Sequence, residues 1–101
     1  EVMINKVIRS LDKQGRLQLP GDLVDFSNIK NSKEIAICSM GRSMIRLKPK
    51  VKANLKNDKV ISFVKVDDKR RIVIPLEIRQ RTQNFEIFLF NGYLILKEAP
   101  K

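Results

Sequence analysis

The chain has 101 residues, 43% apolar and 32% charged, which sets the size of one small domain or two half-size units sharing a core and excludes a disordered tail. No apolar run approaches the roughly 20 residues of a membrane span, and the opening EVMINKVIRS lacks a signal peptide's apolar block, so the expectation is an intracellular, soluble chain with no membrane partner. A net charge of +10 favours a polyanion, while the lack of histidine and the single cysteine exclude Ser-His and Cys-His nucleophiles, His or Cys metal clusters and an intrachain disulfide.

The first predicted element is a strand at KVIRSL, residues 6–11, rich in β-branched residues and bounded by polar ones. A charged turn follows in LDKQGRLQLP, residues 11–20, and leads into a second strand, RLQLP. The two-residue period puts Leu17 and Leu19 on one face and Arg16 with Gln18 on the other, where a partner can reach them. Pro20 suits the start of a helix, Asp22 complements its dipole and Leu23 points inward. EIAICSMGRSMIRLK then predicts a loose hairpin in which Gly41 alone favours positive φ, with Cys38 as a small buried thiol. Residues 49–57, PKVKANLKN, read as a basic, solvated linker.

After the linker the order of parts recurs. VISFVKV is a strand, and VDDKRRIVIP, residues 66–75, matches LDKQGRLQLP at an offset of 55 through Asp12 and Asp67, Arg16 and Arg71, Pro20 and Pro75. Ile72 and Ile74 face inward, and Arg71 and Val73 outward. Glu77 and Ile78 open a second short helix, and EIFLF-NG-YLILK is a strong hairpin signal, because Asn91-Gly92 suits the two positive-φ positions of a type I′ turn. The chain thus divides into repeat 1 (1–48), linker (49–57) and repeat 2 (58–101), each repeat of β-β-α-β-β order. One repeat alone would bury too little apolar surface. The expected fold is therefore mostly β with short helices, a pseudo-twofold β-barrel made by both repeats.

The pattern D-x-x-x-R-hydrophobic-x-hydrophobic-P, a short helix and an NG-type hairpin ending ILK resembles the AbrB/SpoVT/MazE swapped-hairpin family. The likeness is close in repeat 2, residues 63–97, and weaker in repeat 1 after Pro20. It implies a swapped-hairpin (cradle-loop) barrel, built by one chain as a monomeric pseudo-dimer or by a homodimer. It also implies a transcriptional regulator that binds double-stranded DNA in a prokaryotic cytoplasm, associated with the nucleoid, without cofactor, metal or catalytic residues. The family's turn arginine falls on Arg16 and Arg71, its first-strand cation on Arg9 and Lys65, and its helix-start arginine on Arg79. Repeat 2 carries Arg70 where the family has glycine, which implies a different turn geometry or a third cation offered to the DNA backbone.

From the residues alone, Lys13 and Arg16 in one turn and Lys69, Arg70 and Arg71 in the other form paired cationic loops able to dock on duplex phosphates. Arginine can grip a phosphate or guanine edge bidentately. A structural role stands beside this reading: Asp12 and Asp67 as turn caps, with Arg16 and Arg71 as their ion-pair partners. Aromatic residues do not interleave with the cations, which disfavours single-stranded RNA. The alternative function is a protein-interaction module, antitoxin-like or an assembling barrel; MazE-type antitoxins usually append an acidic or disordered tail, which is expected to be absent here.

Overall fold

A computed structural model describes residues 6–99; residues 1–5 and 100–101, including the start of repeat 1 and half of the segment read for a signal peptide, lie outside the described residues. The elements run β1 (Val7–Ser10), β2 (Arg16–Gln18), α1 (Gly21–Asp25), β3 (Glu34–Ser39), β4 (Met44–Pro49), a 3-10 turn at Lys50–Lys52, β5 (Val60–Lys65), β6 (Arg71–Val73), α2 (Leu76–Arg79), β7 (Asn84–Phe90) and β8 (Tyr93–Ala99). The fold is mostly β, antiparallel throughout, with two short helices.

The large sheet has the order β1-β7-β8-β4-β3-β5, and β2 pairs only with β6. Exchanging β1 with β5, β3 with β7 and β4 with β8 leaves that order unchanged, and the β2–β6 pair maps onto itself. The first strand of each half therefore pairs with the hairpin of the other: Arg9 lies opposite Phe85 in β7, and Val64 opposite Ile35 in β3. The pseudo-axis passes through Leu17 and Ile72, which face each other in the β2–β6 ribbon.

Among the described residues the sheets do not close into the expected barrel. β1 and β5 end the large sheet, and the ribbon remains a separate ladder. The cause is local. Each turn returns a single backbone bond to its own first strand's end, Asp12 N–H to the Arg16 carbonyl and Asp67 N–H to the Arg71 carbonyl. β2 and β6, three residues each, then pair with one another instead.

Alternation builds the core. Ile35, Ile37, Ile45, Leu47, Phe85, Ile87, Leu94 and Leu96 line the inner face of the large sheet and pack against Leu17, Leu19, Ile72 and Ile74 of the ribbon. Leu23 and Ile78 close the ends, so each helix of one turn is held by an inward side chain rather than by propensity. Pro20 and Pro75 stand at the N-caps, one position earlier than the first helical turn. Asn91 and Gly92 adopt φ of 53° and 81°, the conformation that the NG hairpin requires.

The connecting segment is exposed at Lys50–Lys52 but pinned at its end. Asp58, whose side chain is only 6% exposed, accepts hydrogen bonds from Lys48 Nζ (2.7 Å), Arg46 Nη2 (3.3 Å) and the Asn54 N–H (2.7 Å). The Asn54 amide, followed by Lys48, holds the Asp58 carboxyl below its ordinary range. Arg46 also lies over the Tyr93 ring, 4.7 Å from its centroid. Cys38 is buried on β3, and that burial raises its thiol pKa, as a structural cysteine requires.

Candidate nucleic-acid interface

The two charged turns share one backbone. In each, the N–H three residues on closes onto the aspartate carbonyl (Gly15 to Asp12, Arg70 to Asp67, both 3.0 Å), and the closing residue takes positive φ, 76° at Gly15 and 60° at Arg70. This is a type I turn followed by a left-handed residue, a common three-residue hairpin. The different geometry implied by Arg70 is not adopted. Each aspartate caps its turn: Asp12 Oδ1 accepts from the Gln14 and Arg16 amides, and Asp67 Oδ1 from those of Lys69 and Arg71. The other oxygen receives the arginine Nε at 2.8 Å in both turns. The Arg16 amide is the main cause that lowers the Asp12 carboxyl, and the Arg71 amide that of Asp67.

The structure brings Arg16 and Arg71 onto one surface. In the ribbon Arg16 faces Val73 and Gln18 faces Arg71. The arginines are thus diagonal neighbours, about 7–8 Å apart at the backbone. They form one patch across the pseudo-axis, not two separate clusters. Each guanidinium leans toward its own aspartate through Nε, and among the described residues its two Nη groups donate to no protein acceptor. Backbone bonds from Leu19 N–H to the Arg70 carbonyl and from Ile74 N–H to the Gly15 carbonyl carry the ribbon into both turns. Lys13 and Lys69 stand exposed at its opposite ends.

The other predicted cations divide. Arg70 extends from turn two to Asp25 of α1, with Nη2 to Oδ1 at 3.3 Å. Arg79 is half-buried; its Nε donates to the Ile74 carbonyl at 2.8 Å, and its guanidinium lies across Gly15. It braces turn one. Arg9 and Lys65 do not occupy equivalent places. Arg9 sits exposed beside Phe85, on the core side of an outer strand at its rim, whereas Lys65 sits opposite Glu34 on the other face of its strand.

Gln18 and Val73 share the ribbon's outer face with the arginines, as alternation predicts, and belong to the same patch although they carry no charge. Repeat 1 also carries five extra residues before its hairpin: Leu23 and Ile78 differ by 55, but Ile35 and Phe85, which pair with equivalent strand residues, by 50. The loop at residues 29–33 places Lys30 and Lys33 along a groove of about 850 Å3 shared with turn two. The matching groove between α2 and turn one is about 250 Å3. The unequal spacing of the two copies after their prolines was the available signal.

No protein-family model matches the sequence, and no curated protein is significantly similar to it.

Proposed function

We propose that this chain is a double-stranded DNA-binding transcriptional regulator, non-enzymatic, acting as one pseudo-dimeric unit of the AbrB/SpoVT/MazE swapped-hairpin type. The observation that carries the reading is the ribbon: Arg16 and Arg71 side by side about a pseudo-twofold axis, half-buried, with Nη groups that donate to no protein acceptor among the described residues, in a chain of net charge +10. The major groove, about 12 Å wide, admits a two-stranded ribbon. The approximate twofold symmetry of a duplex matches the exchange symmetry of the strand order. The hydrogen bonds that Arg16 and Arg71 donate through Nε to Asp12 and Asp67 fix each arginine and leave the forked end for a phosphate or a guanine edge, so the ion pairs orient the cations rather than consume them. Lys13 and Lys69 extend the patch toward flanking phosphates, and the swapped-hairpin assignment is supported by the pairing of each first strand with the other half's hairpin.

Neutralising about six phosphates gives a log–log salt slope near −5. The test is a salt titration of binding to a duplex, with wild-type protein and the Arg16→Ala/Arg71→Ala double variant, circular dichroism serving as the check on folding. The double variant should bind at least roughly tenfold more weakly at moderate salt and flatten the slope by about 2. Salt-insensitive binding, or a folded double variant that binds as well as wild type, would overturn the reading.

A further inference from the structure

The ribbon is symmetric where it is buried and asymmetric where it is exposed. Leu17 and Ile72 meet at the pseudo-axis, 0% and 1% exposed. On the outer face the axis exchanges Arg16 with Arg71, like for like. It also exchanges Gln18 with Val73, an amide for a branched hydrocarbon. Both are exposed, and Val73, at 47%, is apolar where the strand's outer face meets solvent.

The two positions are also held differently. Gln18 Nε2 donates to the Lys69 carbonyl, which fixes the amide beside turn two. Its Oε1 and second N–H have no protein partner among the described residues. Val73 can make no such bond to turn one. The asymmetry continues beyond the ribbon, since Lys30 and Lys33 line the wider groove at turn two, on the Gln18 and Arg71 side.

We infer that Gln18 and Val73 are specificity-determining residues that make the preferred duplex non-palindromic, with an adenine read by Gln18 and a thymine methyl read by Val73. The inference rests on the DNA-binding reading above. A ribbon lying in the major groove turns its outer side chains toward base edges, where an amide matches the acceptor–donor pair of adenine and an apolar group matches the thymine methyl. Valine satisfies no donor or acceptor, so it penalises any edge whose polar groups it desolvates. With adenine on the strand that faces Gln18 and thymine on the strand that faces Val73, the two halves prefer opposite orientations of an A·T pair about the pseudo-axis. Arg16 and Arg71, equivalent about the axis, set position in both halves alike. Lys30 and Lys33 add backbone contacts on one side only, which fixes the direction in which the protein lies on an asymmetric site.

The experiment is selection of duplexes from a random pool by wild type, Val73→Gln and Gln18→Val, followed by affinities for the selected sites at two salt concentrations. Wild type should select a non-palindromic core. Val73→Gln, with two glutamines, and Gln18→Val, with two valines, should each select a core with twofold symmetry and discriminate against the wild-type core by roughly ten- to hundred-fold. The salt slope should stay unchanged, because neither residue meets a phosphate. A palindromic wild-type core, or the same core from all three proteins, overturns the inference while leaving DNA binding standing. Absence of salt-sensitive duplex binding by wild type overturns the functional reading, and this inference falls with it. Both side chains are exposed, and unchanged thermal unfolding confirms that the variants are folded.

Discussion

Turn one and turn two have the same backbone and accommodate it in opposite ways. At Gly15 the left-handed residue is bare, and the Arg79 side chain from the other half fills the space: a Cβ there would meet Arg79 Nη1 at 2.5 Å and Cδ at 2.6 Å. At Arg70 the left-handed residue carries a long side chain, and the other half supplies the room. Gly21, where repeat 2 has Leu76, lies beneath the Arg70 guanidinium, and Asp25 receives it. Each departure of one repeat from its twin is answered by a residue across the pseudo-axis. A shared backbone does not make the side chains interchangeable, and the mismatched pairs Gly15–Arg79 and Arg70–Gly21 tie each half to the other.

The comparison is sharpest where the halves should behave alike. Leu17 and Ile72 face each other at the axis, both fully buried in one core cluster. Leu17→Ala and Ile72→Ala should each cost about 2–5 kcal/mol, and by similar amounts, because each opens a cavity bounded by the same neighbours. Denaturant titration measures both. A difference above about 1.5 kcal/mol would break the equivalence of the two halves at the core and place the folding weight in one repeat.

The turns themselves should behave unequally. Gly15→Ala places an L side chain at φ 76° against Arg79. The conformation costs about 1–2 kcal/mol, and loss of the Arg79–Ile74 bond adds about 0.5–1.5. Arg70→Gly relieves a similar strain at φ 60° and gives up only the half-exposed pair with Asp25, worth up to about 1 kcal/mol, so its stability should stay within about 1 kcal/mol of wild type. Thermal unfolding distinguishes the two. Equal losses at both positions would mean that the crossing contacts, rather than the left-handed backbone, dominate the turns.

Much of this was legible in the sequence, and for physical reasons. The aspartate, arginine and proline that recur at an offset of 55 pointed to two like turns, and alternation placed Leu17, Leu19, Ile72 and Ile74 inside, because a strand's period of two is strict. Asn91-Gly92 specified its hairpin, since few pairs tolerate two positive φ angles. What could not be read depends on contacts between distant segments. Nothing local to Gly15 announces Arg79, and nothing in ANLKND announces that Asp58 reaches Arg46 and Lys48. Sheet closure was equally hidden, because a three-residue strand can extend its own hairpin or pair across an axis with the same sequence. Arg9 and Lys65 illustrate the remaining limit: carried over by resemblance, they sit one register step apart and so point to opposite faces.

The smallest expected effect tests whether the two caps are as alike as their geometry. Asp12 and Asp67 are 37% and 33% exposed, and each carboxyl is held below its ordinary value of 3.8, first by the amide of Arg16 or Arg71. A carboxyl whose folded pKa is depressed stabilises the fold above its unfolded pKa, and that stability is lost as pH falls through the folded value. Stability should therefore decline as pH drops below about 4, as the unfolded chain takes up protons first. Asp12→Asn and Asp67→Asn keep an Oδ1 acceptor for the turn amides but remove the charge and the Oδ2 acceptor of the arginine Nε. Each should flatten the acid limb of the stability profile slightly, by matching amounts, because it lowers the stability present above about pH 4 and leaves the strongly acid end unchanged. Urea titrations from pH 5 to 2.5 measure the slopes. A clearly larger flattening in one variant would show that its arginine carries more of the cap, and would assign to that turn the more rigid cation on the ribbon.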